Sequence, residues 1–94
     1  MRFHLYVLYS DSFDKIYVGF TSDLSARLKS HNELSTKGWT VKYRPWKLIY
    51  SEEYSNKRTA MKREKELKTA LGRKFIREEV LKKYVGLISA SWRT

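Results

Sequence analysis

Cysteine is absent from this 94-residue chain, which excludes both a disulfide scaffold and a thiolate metal site. With only two histidines and no cysteine, a structural zinc centre is also disfavoured. No apolar run approaches the roughly 18 residues of a membrane span, and the first residues do not form a signal segment. We therefore expect a cytoplasmic protein that does not bind a membrane.

Glycine and proline are scarce, with four residues and one residue, so most of the chain is expected to be regular structure in one domain spanning residues 1–94. Acidic residues are also few: the chain has 10 Asp and Glu residues against 20 Lys and Arg residues, which gives a net charge of +10. Such an excess favours polyanionic partners, nucleic acid above all. The alternative is a solvated basic surface with no specific partner.

Hydrophobic periodicity predicts six elements. Residues 3–9 and 15–20 alternate like strands and should form an antiparallel hairpin across the turn 10–14. The remaining four elements are a helix from residues 21–23 to 31 or 34, a strand 46–50, a second helix from Ser55 or Asn56 to about Leu71, and a basic helix 73–84. A polar loop, 33–42, connects the first helix to the strand 46–50. Gly72 is expected to end the second helix with a positive φ, and residues 85–94 are unassigned. The fold class is mixed α/β (α+β): a small three-stranded antiparallel sheet flanked by helices, in the order β-β-α-β-α-α.

Polar residues fall on apolar helix faces at two places. At about 100° per residue, Glu64 lies within the stripe formed by Ala60, Leu67 and Leu71, whereas Glu66 points the opposite way. A carboxylate on such a face is costly unless it is paired or binds a cation. Pairing with a nearby Lys, Arg or Tyr is the structural alternative.

Arg27 and His31 flank the inward face of the first helix and are neighbours, because they are four residues apart. The planar guanidinium of Arg27 suits phosphate oxygens, and His31 can move protons near neutral pH. The structural alternatives are an Arg whose stem covers the core and a histidine satisfied by hydrogen bonds.

Tyr6 and Tyr17 lie on neighbouring strands and can share one face of the sheet if the hairpin register allows it. Tyrosines on sheets are commonly packing residues. However, Gly19 follows Tyr17 on the same face, and a glycine in the middle of a strand marks a close approach of a ligand or of another backbone.

In this order and spacing the residues resemble the GIY-YIG nuclease superfamily, in particular its short single-domain branch. The resemblance covers about residues 3–75. Its motifs are His4-Leu5-Tyr6, Tyr17-Val18-Gly19, Thr21, Asp23-Leu24, Arg27, His31-Asn32, the stretch from Tyr43 to Leu48, and Ala60, Arg63-Glu64 and Lys68. His4 stands where the family's name-giving glycine would be.

The resemblance implies a phosphodiester hydrolase that uses water and one Mg²⁺ or Mn²⁺ ion. It assigns metal binding to Glu64, stabilisation of the phosphate to Arg27 and proton transfer to Tyr6, Tyr17 and His31, with Tyr6 as the favoured general base. A single carboxylate is compatible with Mg²⁺, which keeps several waters and also binds substrate phosphate.

The implied substrate is DNA, branched or damaged DNA included, with RNA as an alternative. The residues expected to contact its backbone are Arg27, Lys42, Arg44, Lys68 and Arg73.

Two rival functions stay open. One is a non-catalytic nucleic-acid-binding module that stacks bases on Trp39, Trp46 or Trp92. The other is a protein-interaction domain for an acidic partner. The sequence does not define an oligomeric state.

Overall fold

The structure of the chain, a computed structural model, describes the backbone of residues 2–92 and the side chains of residues 2–86. The strands of this part are β1 (Phe3–Ser10), β2 (Lys15–Thr21) and β3 (Lys47–Tyr54). Its α-helices are α1 (Leu24–Lys29), α2 (Lys57–Leu67), α3 (Ala70–Phe75) and α4 (Leu81–Trp92). A π-helical turn, Ser30–Leu34, follows α1, a second one, Ile76–Val80, joins α3 to α4, and a 3₁₀ turn, Trp39–Tyr43, precedes β3.

The sheet is antiparallel throughout, with strand order β2-β1-β3. The hairpin pairs Tyr6 with Gly19 and Leu8 with Tyr17. The predicted fold class, a three-stranded antiparallel sheet flanked by helices, is therefore confirmed. Strand β3 is longer than expected, because its pairing with β1 continues past Tyr50 to Tyr54.

The two faces of the sheet carry separate apolar clusters, as the alternation of β1 requires. The buried members of the first cluster are Leu5, Val7, Val18, Leu67, Ile76 and Val80. The buried members of the second are Tyr6, Leu8 and Trp46, with Tyr17, Leu24, Leu28 and Tyr43 packed against them. Tyr6 and Tyr17 therefore lie on the face covered by α1.

The boundary between α2 and α3 corrects the predicted helix end. Asn56 caps α2 as expected, since its side chain accepts from the Thr59 N–H at 2.8 Å. The helix ends at Leu67, however, and Leu71 is 80% exposed. Gly72 has no positive φ. It lies inside α3, where a Cβ atom would overlap the backbone of Leu67, so it allows two helices to approach closely.

The third predicted helix begins earlier and ends later than expected. Thr69 caps it by accepting a hydrogen bond from the Gly72 N–H at 3.1 Å, and helical structure then continues from Ala70 to Trp92. Across residues 2–92, no helix combines the length and apolar character needed to cross a bilayer.

A carboxylate network fastens β3 to α2. The Arg63 guanidinium donates to both carboxylate oxygens of Glu52, with Nε–Oε1 at 2.9 Å and Nη2–Oε2 at 3.1 Å, and the Tyr50 and Tyr54 hydroxyls also donate to it. Burial acts to raise the pKa of Glu52, but these donors outweigh it and the pKa is lowered. Glu52 is therefore ionised at neutral pH and holds the two elements together.

Replacing Glu52 by Gln should lower the free energy of unfolding by about 1–3 kcal/mol at pH 7, because charge-assisted hydrogen bonds are lost from a mostly buried site. Since the folded pKa is depressed, the contribution of Glu52 is present above its unfolded pKa and lost as pH falls through the lower folded value. Urea unfolding at pH 7 and pH 3 measures both effects. Equal stability of the two proteins at pH 7 would contradict the structural role of the network.

Candidate active site

Neighbouring strands bring two tyrosines of the site together on one face of the sheet. In the register of the hairpin, Tyr6, Tyr17 and Gly19 lie on the same face of the sheet. The ring centroids of Tyr6 and Tyr17 are 6.2 Å apart. The sequence alone does not decide whether the two tyrosines share a face of the sheet, and the register shows that they do. Both hydroxyl groups can therefore belong to one site.

Gly19 leaves room for the Tyr6 ring to cross its neighbouring strand. A Cβ atom at position 19 would lie 2.6 Å from the Tyr6 hydroxyl oxygen and 3.1 Å from Cε1 of Tyr17. Real Cβ atoms essentially never show the shorter of these distances, and the buried Tyr6 ring has little freedom to withdraw. The glycine therefore fixes the position of a hydroxyl group.

Gly19→Ala should lower the free energy of unfolding by about 1–3 kcal/mol, the usual cost of overpacking, and should displace the Tyr6 hydroxyl. The matched control is Gly86→Ala on α4, where a Cβ atom meets nothing within 4 Å. Urea unfolding gives the stabilities, and the NMR shifts of the His31 ring report the displacement. An alanine variant with wild-type stability and unchanged His31 shifts would show that the space is not needed.

His31 connects Tyr6 to a loop threonine. The Tyr6 hydroxyl lies 2.9 Å from Nε2 of His31, and Nδ1 of the same ring lies 3.1 Å from Oγ1 of Thr40. All three residues are buried. A neutral imidazole has one donor and one acceptor nitrogen, so the chain of hydrogen bonds can carry a proton between its ends.

The first helix and its π-helical extension bring His31 to this place. Asp23 caps α1 by accepting from the Ala26 N–H at 3.1 Å. Ser30–Leu34 then continues as a π-helical turn, a feature that often occurs at functional sites. The imidazole packs edge-on against Tyr17, with the ring centroids 4.7 Å apart.

Arg27 and Glu64 act electrostatically on the same tyrosine. Burial raises the pKa of Tyr6 well above its ordinary value, and the nearby Tyr17 and Glu64 raise it further, whereas Arg27 opposes them. Burial also lowers the pKa of His31, with smaller contributions from the Arg27 and Arg44 charges. Side chains from two strands and two helices thus share one electrostatic environment, in which Tyr6 is neutral and His31 is unprotonated at neutral pH.

Glu64 is shielded but not fully paired. Its side chain is 20% exposed, compared with 50% for Glu66, which agrees with the predicted helix phase. One carboxylate oxygen of Glu64 lies 3.6 Å from the Lys68 ammonium, one turn later in the chain. Among the described residues, no group of three or more His, Asp or Glu side chains could hold a metal ion. Any metal here would therefore rest on few protein ligands.

Comparison with known proteins decides the family. The profile of the GIY-YIG catalytic domain matches residues 2–79. The chain belongs to the GIY-YIG family. It is similar to UPF0213 proteins of Staphylococcus aureus, such as those of strains Mu3 and N315, with 35% identity over 77 residues that span 82% of this chain and 94% of the relative.

A solution NMR structure of a UPF0213 protein from Bacillus halodurans is also similar. Its sequence is 23% identical to this chain. The aligned region spans 96% of this chain and 85% of the Bacillus halodurans protein, with a TM-score of 0.43.

Several basic residues expected to contact nucleic acid in this GIY-YIG domain lie in different settings. Arg44 donates to the carbonyl oxygens of His31 at 2.6 Å and of Ser35 at 2.6 Å, so it orders the loop that carries the histidine. The Arg44 guanidinium is therefore engaged by the backbone of its own loop. Arg27 and Lys42 are exposed, and both Lys68 and Arg73 line a cleft beside β2.

The three candidate stacking tryptophans differ equally sharply. Trp39 is 45% exposed, whereas Trp46 is 3% exposed and donates its indole N–H to the Thr40 carbonyl at 2.7 Å. Trp46 therefore belongs to the core and cannot stack on a base. The side chain of Trp92 lies outside the described residues.

Thr40 is a site residue that the sequence did not indicate. It lies in the 3₁₀ turn that replaces part of the predicted loop, and no periodicity marks a threonine there as buried. The nearest signal is the preceding aromatic residue, since a Trp-Thr pair in a polar segment implies some local packing. The Asn32 side chain supports this loop by bonding both the N–H and the carbonyl of Trp46.

Proposed function

We propose that this GIY-YIG domain is a metal-dependent endonuclease that hydrolyses phosphodiester bonds in DNA. The observation that carries the proposal is the buried contact of 2.9 Å between the Tyr6 hydroxyl and His31. It places a proton donor and a proton acceptor side by side in a family whose domain is described as catalytic. Gly19 on the neighbouring strand leaves the space that the Tyr6 hydroxyl group occupies.

The direction of proton transfer follows from the two pKa shifts. The lowered pKa of His31 makes its ring neutral at pH 7. In the mechanism we propose, Nδ1 carries the ring proton and donates it to Thr40, and Nε2 accepts the hydrogen bond from the Tyr6 hydroxyl. Tyr6 takes a proton from the attacking water as it passes its own proton to His31. Tyr6 is the general base, and Tyr17 orients the imidazole by packing against it.

Arg27 supplies the positive charge for the reacting phosphate. Its side chain is exposed, yet its charge reaches both Tyr6 and His31. A guanidinium in this position can donate two hydrogen bonds to non-bridging oxygens, and these strengthen as negative charge builds in the transition state.

The donor set fits one Mg²⁺ or Mn²⁺ ion held by Glu64. Mg²⁺ is commonly bound by one or two carboxylates together with waters and substrate phosphate, so a lone, partly shielded glutamate is sufficient. When bound, such an ion would polarise the phosphate and stabilise the leaving oxygen. Glu64 has only a loose 3.6 Å contact to Lys68, so its oxygens can turn toward a cation without breaking a tight ion pair.

A panel of labelled DNAs tests the function. The purified protein is incubated with branched, single-stranded and duplex DNA in Mg²⁺, in Mn²⁺ and in EDTA, beside a Glu64→Ala preparation made identically. We expect cleavage of at least one substrate that requires the metal and Glu64. Binding of DNA without cleavage under every condition would instead support the non-catalytic binding module.

A further inference from the structure

A basic cleft opens beside the catalytic residues, along the outer strand of the sheet. It has a volume of about 460 Å³, and its lining includes Tyr17, Trp39, Lys15, Lys68, Arg73 and Arg77. Asp14 also lines the cleft, but it is neutralised by Arg77 at 2.8 Å. The cleft therefore keeps a positive surplus from Lys15, Lys68 and Arg73.

Two aromatic side chains, Tyr17 and Trp39, line this cleft, and further rings pack around Trp39. Trp39 is about half-exposed, and its ring centroid lies 4.7 Å from that of Tyr43 and 5.7 Å from that of the buried Trp46. Phe13, also half-exposed, packs edge-on against Tyr43 at 5.4 Å. The Lys15 ammonium lies 5.4 Å from the centre of the Tyr43 ring. Trp39 and Lys15, which both line the cleft, thus each contact the ring of Tyr43.

The cleft is connected to the proposed catalytic centre by two contacts. Tyr17 lines the cleft and also packs against His31 with ring centroids 4.7 Å apart. Lys68 lines it and lies 3.6 Å from the carboxylate of Glu64. A strand that occupies the cleft would therefore contact direct neighbours of His31 and Glu64.

We propose that this cleft binds an unpaired strand of the DNA substrate, so that the enzyme acts on DNA with a single-stranded segment. The inference rests on the proposed nuclease function. Trp39 stacks on an unpaired base, while Lys15 and Arg73 contact the adjacent phosphates. Paired bases hide their faces within the helix, so a stacking surface of this kind offers an advantage only to an unpaired strand. The volume also suits a nucleotide-sized ligand.

Metal-free binding tests the inference without requiring cleavage. Fluorescence anisotropy in EDTA compares a labelled (dT)₁₂ strand with a blunt duplex of the same length, for wild type and four variants. Trp39→Ala should weaken (dT)₁₂ binding about 5- to 50-fold, the effect of removing one stacked base, and leave duplex binding nearly unchanged. Trp39→Phe keeps a π face and should restore most of the affinity for the single strand.

The role of the basic residues that line the cleft is tested by a matched pair of substitutions, each of which removes one arginine charge. Arg73→Ala should weaken binding of both DNAs, whereas Arg58→Ala, on the exposed start of α2 outside the cleft, should have a much smaller effect. Equal losses for single strand and duplex in Trp39→Ala would overturn the inference, as would equal effects of the two arginine variants.

Failure of the proposed function gives a different result from failure of this inference. If no DNA is cleaved but (dT)₁₂ is preferred in a manner that depends on Trp39, the strand-binding cleft stands and the nuclease assignment falls. If DNA is cleaved but Trp39→Ala changes neither binding nor the choice of substrate, the nuclease assignment stands and the cleft proposal falls.

Discussion

Glu64→Gln should lower metal-dependent cleavage by at least about 10²–10³-fold while leaving metal-free DNA affinity nearly unchanged. The substitution keeps the shape of the side chain and removes the charge proposed to hold the cation. The phosphate contacts proposed for Arg27 and the surrounding lysines do not depend on that charge. Single-turnover cleavage and anisotropy on the same DNA measure the two quantities.

Glu66→Gln is the internal control for this prediction. Glu66 lies on the same helix, is half-exposed and contacts Arg63 at 3.2 Å, so its loss should change cleavage little. If Glu64→Gln cleaved like wild type while Glu66→Gln failed, the assignment of the metal ligand would be wrong.

Tyr6→Phe should reduce the cleavage rate by about 10²–10⁴-fold, the usual contribution of a general base. The ring continues to fill the core beneath α1, but the hydroxyl group that is hydrogen-bonded to His31 and proposed to pass it a proton is gone. Because Nε2 of His31 loses its hydrogen-bond partner, the free energy of unfolding should also fall by about 1 kcal/mol. DNA affinity should not change, since the Tyr6 hydroxyl is assigned to the attacking water and not to the phosphate backbone of the DNA.

Tyr9→Phe provides the matched comparison on the same strand. Tyr9 also donates a hydrogen bond at 2.9 Å, to Asp14, but it faces away from the site. Because this hydrogen bond is exposed, its removal should lower stability less than Tyr6→Phe does and should have a negligible effect on cleavage. Equal cleavage by the Tyr6 and Tyr9 variants would remove Tyr6 from the mechanism.

Local chemistry was sufficient to predict most of the fold. Alternating apolar residues define the hairpin, and small polar residues mark the helix starts at Asp23 and Asn56. The end of α2 was missed because Gly72 was interpreted as a residue with positive φ. Gly72 instead allows α3 to approach the backbone of α2 closely, and a contact between two helices cannot be seen in a single sequence.

The candidate site was predictable only where it depends on periodicity. Alternation and register place Tyr6 and Tyr17 on one face, and helical phase places Glu64 inward and Glu66 outward. The loop before β3 has no period, so neither the buried Thr40 nor the carbonyl contacts of Arg44 could be expected. Both depend on a 3₁₀ turn that folds back over the histidine.

The pH dependence of single-turnover cleavage by the wild-type protein tests the central claim most directly. If a neutral His31 accepts the proton of Tyr6, the rate should rise with pH, pass its midpoint below about 6.5 and then stay level. The midpoint is low because burial depresses the pKa of His31, and no further rise follows because the pKa of Tyr6 is raised. A rate that climbs without a plateau to about pH 10, the ordinary pKa of tyrosine, would contradict the proton path from Tyr6 to His31.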